Sequence, residues 1–195
     1  CYNNSQTHIM RNSFFVSLVA TIVLLLPQTY AQDNNKTTMT ATKKADRVST
    51  FRTVSATLAD LTTTIEYSAP AVKGRTIWGE LVPYGKVWRT GANEATTIEF
   101  NRDVFINGVR VRAGKYALFS IPDADKWVFI LNTVPDQWGA FKYDESKDAL
   151  RFSVTPQNAP AFSERLTFET KAIEADKAIL VSLIWENKML SWEVK

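Results

Sequence analysis

Residues 103–121 read DVFINGVRVRAGKYALFSI, and this stretch decides the fold. Asp103-Val104-Phe105-Ile106 and Val109-Arg110-Val111-Arg112 flank the dipeptide Asn107-Gly108. A two-residue type I′ turn needs positive φ at both central positions, which Asn and Gly tolerate best, so the pair predicts a tight β-hairpin. Ala113-Gly114 then turns the chain into Lys115–Ile121, and Pro122-Asp123-Ala124-Asp125 turns it again. Strands joined by such short turns must lie antiparallel.

The same pattern extends to both sides. Thr62–Tyr67 is β-branched and stops at Ser68-Ala69-Pro70. Trp127–Leu131 (WVFIL) is apolar at every position, as expected of a strand covered on both faces, and Ile179–Trp185 (ILVSLIW) is similar. Leu150, Phe152 and Val154 alternate with Arg151 and Ser153, Leu166 and Phe168 with Arg165 and Thr167, and Leu190, Trp192 and Val194 close the sequence in strict alternation. No stretch holds a 3.6-residue period over three turns. Residues 50–195 are therefore expected to form an all-β antiparallel sandwich of jelly-roll or immunoglobulin-like type.

Residues 1–31 follow different rules. Arg11 precedes the uncharged apolar run Phe14–Leu26, and Thr29-Tyr30-Ala31 resembles a small-residue cleavage site. A run this short falls below the ~20 residues that span a bilayer. The expectation is a helical secretory signal peptide, with Met10 as its start and residues 1–9 an upstream extension. Residues 32–49 (QDNNKTTMTATKKADRVS) have no aromatic residue and no apolar period, the composition of a disordered linker. The predicted product is exported to the periplasm or beyond, with no transmembrane segment in its mature part.

Cleavage at that site removes the only cysteine, Cys1, and the only histidine, His8. Ser-His-Asp and thiol catalysis lose their base or nucleophile, and the usual zinc, copper and haem sites lose their ligands. No cofactor or metal is expected. The paired acids at Asp123/Asp125 and at Asp144, Glu145 and Asp148 read as turn residues, not calcium ligands. Removing Arg11 takes the formal net charge from +3 to +2, and the remaining cations are interspersed with acids, which argues against nucleic acid as a partner.

One segment breaks the strand rhythm. Residues 73–93 (KGRTIWGELVPYGKVWRTGAN) contain four of the seven glycines, two tryptophans and five charges. Gly74-Arg75-Thr76-Ile77-Trp78-Gly79-Glu80-Leu81-Val82-Pro83-Tyr84-Gly85 is followed by Val87-Trp88-Arg89-Thr90-Gly91-Ala92-Asn93-Glu94-Ala95-Thr96-Thr97, then by Ala113-Gly114-Lys115-Tyr116-Ala117-Leu118-Phe119 and Trp138-Gly139. In that order, over roughly residues 52–170, the chain resembles the secreted bacterial family known as domain of unknown function 2911. The resemblance implies an exported β-rich domain and brings no activity with it.

Long ordered loops rich in aromatic and charged residues often hold binding sites. Aromatic faces flanked by planar hydrogen-bonding groups hold sugars, and Arg forks hold carboxylates. Trp78, Trp88 and Trp138 lie in glycine-rich irregular segments, whereas Trp127, Trp185 and Trp192 lie on strands and belong to the core. The candidate site is a groove of Arg75, Trp78, Arg89, Asn93 and Glu94, closed by Trp138, taking a small molecule or glycan. The alternative is structural: Arg89 pairs with Glu94, Asn93 caps the turn, the tryptophans plug the open end of the sandwich, and the domain serves as an interaction module of the cell envelope. A carboxylate-based hydrolase is the least favoured reading, because an Arg89–Glu94 pair would keep the acid ionised, the wrong state for proton donation.

Overall fold

The computed structural model describes residues 47–195. The expected signal peptide and residues 32–46 of the expected linker lie outside them. Ten strands and one 3-10 turn make up the described chain: β1 (Thr50–Leu58), β2 (Leu61–Ala69), β3 (Thr96–Phe100), β4 (Val104–Ile106), β5 (Val109–Val111), β6 (Gly114–Ile121), β7 (Trp127–Asn132), the turn Glu145–Lys147, β8 (Asp148–Val154), β9 (Gln157–Ile173) and β10 (Ala178–Val194). Every strand pairing is antiparallel.

Six strands form one sheet in the order β1-β2-β3-β6-β7-β8. Its neighbours follow chain order except where the β4–β5 hairpin is looped out. This is a meander, whereas a jelly roll or an immunoglobulin domain interleaves strands between its two layers. The hairpin turns at Asn107 (φ 50°) and Gly108 (φ 79°), the two positive values that a type I′ turn demands.

The second layer is the long β9–β10 hairpin. β4 joins its end, because Phe105 and Lys195 exchange backbone bonds of 2.7 and 3.0 Å. Past Pro70 the chain leaves β2 and bridges β9 at Ala71–Arg165, with Leu166 N–H donating to Pro70 C=O at 2.9 Å. Tyr67 ties the layers from inside: its ring meets Phe168 edge-on at 5.0 Å, and its hydroxyl accepts from the Phe168 N–H.

One contiguous core lies between the layers, with Ile65, Ile98, Leu118, Phe129 and Phe152 on one side and Leu166, Phe168, Val181, Leu183 and Trp192 on the other. Alternating strands such as β8 bury Leu150, Phe152 and Val154 and expose Arg151 and Ser153. β7 is apolar on both faces because a second, smaller cluster of Ala95, Ala117, Phe119 and Ile130 covers the sheet's other face, with Val87, Ala140 and Tyr143 packed on it.

The loop over that face is pinned by a polar network. Tyr143, whose ring packs edge-on to Phe119 at 5.1 Å, donates its hydroxyl proton to Asp148 Oδ2 at 2.6 Å, and Arg151 donates to both groups. Asn132 donates to Asp148 Oδ1 and to the Asp144 carbonyl, both at 2.9 Å. Asp144 and Asp123 accept from the backbone N–H groups of Ser146 and Ala124, the turn roles expected of them. Burial, helped by the bond to Asp148, pushes the Tyr143 hydroxyl from 10.0 up to about 12. The raised folded value means that the unfolded chain loses this proton first. The contribution of Tyr143 is therefore fully present below pH 10 and is lost as pH climbs to about 12. Urea midpoints taken through this window should fall more steeply for the wild type than for Tyr143→Phe.

Candidate functional site

The 70–95 region is ordered by backbone bonds to its neighbours. Trp88 exchanges N–H···O bonds with Ser120, at 2.7 and 2.9 Å, continuing the line of β3 along β6. The chain then turns sharply through residues 90–93. Thr90 (φ 52°) and Asn93 (φ 58°) both sit in the left-handed region, uncommon for Asn and a true outlier for a β-branched residue. The surroundings hold this strain in place. Thr90 is fully buried and donates to Ser120 Oγ at 3.0 Å, Trp88 Nε1 donates to the Gly91 carbonyl at 3.2 Å, and Thr96 Oγ1 donates to the Thr90 carbonyl at 2.9 Å. Ala92 N–H reaches the Ser68 carbonyl at 3.1 Å.

The turn separates the expected groove into two cavities. Arg75, Arg89 and Asn93 line a cavity of about 360 Å³ together with Lys73, Trp88 and Trp185. Glu94 and Trp138 line a different one, of about 280 Å³, with Glu66, Lys115 and Asp136. Glu94 pairs with Arg47, not with Arg89: Arg47 Nη1 lies 2.8 and 2.6 Å from its two carboxylate oxygens. The Arg47 guanidinium lies 5.6 Å from the centroid of the Trp138 ring, and the Trp138 backbone bridges Glu94. Trp78 lines neither cavity. Its ring is packed edge-on against Trp88, Trp127 and Trp185 at 6.2, 5.0 and 5.5 Å, so it belongs to the core.

Residues 47–49, assigned to the linker by composition, rest on the domain. Asn93 Nδ2 donates to the Ser49 carbonyl at 3.4 Å, and Val48 and Ser49 form part of the larger cavity's wall. Trp185, read from sequence as core alone, serves twice: it is 1 % exposed, yet it lines this cavity, stacked 6.0 Å from Trp88 at 19°. Its place at the end of the apolar run 179–185 carried no sign of the second role.

The electrostatics of the larger cavity centre on Arg89. Burial pulls its pKa below the ordinary guanidinium value, and among the described residues no charge offsets that effect. Its Nε is buried without a hydrogen-bond partner, as is Trp185 Nε1. Arg75 is anchored, donating from Nε to the Val72 carbonyl at 3.0 Å and from Nη2 to the Ala71 carbonyl at 2.6 Å. Among the described residues no group of three or more His, Cys, Asp or Glu could hold a metal ion.

Residues 49–194 match the family described as Protein of unknown function (DUF2911). The chain belongs to this DUF2911 family. No curated protein and no solved structure matches it. The DUF2911 match runs from Ser49 to the last residue of β10, so it includes every described residue lining the larger cavity except Val48.

Proposed function

We propose that this DUF2911 domain binds a small molecule or a glycan unit in the cavity of Arg75, Trp88, Arg89, Asn93 and Trp185. The observation that carries the reading is the pair of unpartnered buried donors, Arg89 Nε and Trp185 Nε1, on residues that share one cavity. Buried polar groups are nearly always hydrogen-bonded, so two orphans on residues lining one cavity support a ligand as the missing partner. The volume of about 360 Å³ is near the lower bound of small-molecule sites. Export supports the same reading in kind: the apolar run 14–26 and the small residues before Gln32 suggest a domain that meets its ligand outside the cytoplasm. Among the described residues no helix is long and apolar enough to cross a membrane.

A second reading, an interaction module of the cell envelope, draws on a different surface. Trp138 is 58 % and Phe141 85 % exposed on the same loop as Val134. Exposed aromatic groups of this kind suit a protein partner. Hydrolysis finds less support, because Glu94 and Glu66 are engaged by Arg47 and Lys115 in ion pairs of 2.6 and 2.5 Å.

Thermal unfolding of the purified protein against a panel of sugars, short organic acids and divalent cations tests the proposal. A ligand at a hundred times its Kd should stabilise by about 2.7 kcal/mol. Arg89→Ala should stay folded, since Arg89 Nε has no hydrogen-bond partner to lose, and should abolish the shift. A shift that survives Arg89→Ala and disappears in Trp138→Ala would place the ligand on the exposed loop and reject the cavity.

A further inference from the structure

We infer that the ligand of the Arg89 cavity is an anion, a carboxylate on a body about the size of one ring, whose negative group seats on Arg89. This rests on the small-molecule reading above and adds to it the charge and shape of the ligand.

The first argument is the sign of the lining. Lys73, Arg75 and Arg89 contribute to the wall, and among the described residues no Asp or Glu does. The neighbouring cavity has the opposite balance, with Glu66, Glu94 and Asp136 against Lys115 alone. A neutral ligand gives no reason for three cations to converge on one space of about 360 Å³.

The second argument is Arg89 itself. Taking a guanidinium out of water without a counter-charge is costly, and proteins normally avoid it. Arg89 is half-buried, and among the described residues no charge offsets the effect of that burial. Glu94, five positions along the chain, is engaged by Arg47. The counter-charge is therefore absent from the protein's own described side chains and has to arrive with the ligand.

The third argument is the hydrogen-bonding inventory. Both orphaned atoms on residues lining the cavity, Arg89 Nε and Trp185 Nε1, are donors that cannot accept. No buried side-chain acceptor on a described lining residue is left without a partner. Side chains with spare buried donors and no spare buried acceptors fit a group that only accepts, and an ionised carboxylate is such a group. Its planar pair of oxygens matches the guanidinium fork. Trp88 and Trp185, stacked on each other, add apolar area to the wall, against which the non-polar body of the ligand rests.

The test compares matched charged and neutral probes by isothermal titration calorimetry on the purified protein: glucuronate against glucose, benzoate against benzyl alcohol, and inorganic phosphate as a non-planar anion. At least one carboxylate should bind about ten- to a hundredfold more tightly than its neutral partner, the factor expected of a charge-assisted hydrogen bond. Arg89→Gln should collapse that ratio to about one, and Arg89→Lys should keep part of it. Glucose or benzyl alcohol binding as tightly as its acid would overturn the anion assignment while leaving a small-molecule cavity standing. Phosphate binding more tightly than both acids would overturn the carboxylate assignment. A charge preference that persists in Arg89→Gln would remove Arg89 as the seat, and no binding by any probe would reject this inference together with the reading beneath it. The wild-type comparison decides the anion assignment even if a variant fails to fold.

Discussion

Replacing Trp127 with alanine should cost about 3–5 kcal/mol, the range for deleting a large aromatic side chain from a packed core. Trp127 is fully buried and sits at the junction of the layers, with ring centroids 5.0 Å from Trp78, 6.2 Å from Trp88 and 6.1 Å from Phe129. A domain of this size is stabilised by ~5–15 kcal/mol in total, so the variant gives up a large share. Its Tm should fall by roughly 6–20 °C. The loss is one of packing, because Trp127 Nε1 has no hydrogen-bond partner to leave behind. Trp127→Phe should therefore recover most of the stability, whereas a polar role for the indole would leave Phe and Ala equally damaging. Phe141→Ala, at a site 85 % exposed, should stay within about 0.5 kcal/mol of wild type and serves as the control.

Gly91→Ala should have the next largest effect, about 1–3 kcal/mol, for a different reason. An added Cβ would stand 2.9 Å from Thr96 Oγ1 and 3.1 Å from the Ser68 carbonyl. The second of these is backbone of β2 and cannot swing away. The chain must shift instead, and with it the 3.2 Å bond from Trp88 Nε1 to the Gly91 carbonyl. Since the same turn sets out Arg89 and Asn93, ligand affinity should drop along with the urea midpoint. Unchanged stability would mean that the turn is looser than its hydrogen bonds indicate.

The fold was legible where local chemistry alone sets the backbone. Asn107-Gly108 specified its hairpin, and the alternation of Leu150, Phe152 and Val154 specified a strand with one buried face. Strand β1 gave no signal because it is the edge of the sheet and only Leu58 is fully buried, leaving little apolar period to read. Residues 179–185 and 190–194 looked like two strands, yet β10 runs through both, kinked at a bulge where Glu186 takes φ 56°. Nothing in a glutamate announces a left-handed backbone.

The candidate site was legible in composition and not in partnership. Arg75, Arg89 and Asn93 do share a cavity. The pairing of Glu94 could not be inferred from spacing, because its partner Arg47 lies 47 positions away in a segment whose composition reads as linker. Trp78 was indistinguishable from a ligand-facing tryptophan until its neighbours were known, since glycine-rich flanks occur equally around a core aromatic that arrives from a loop.

The most direct measurement is a nitrogen–proton correlation spectrum of the protein, following the Arg89 Nε–H and the Trp185 and Trp138 indole N–H signals as glucuronate is added. The account predicts that Arg89 and Trp185 shift together and saturate at one concentration while Trp138 stays put. A Trp138 signal that moves while Arg89 and Trp185 remain still would contradict it.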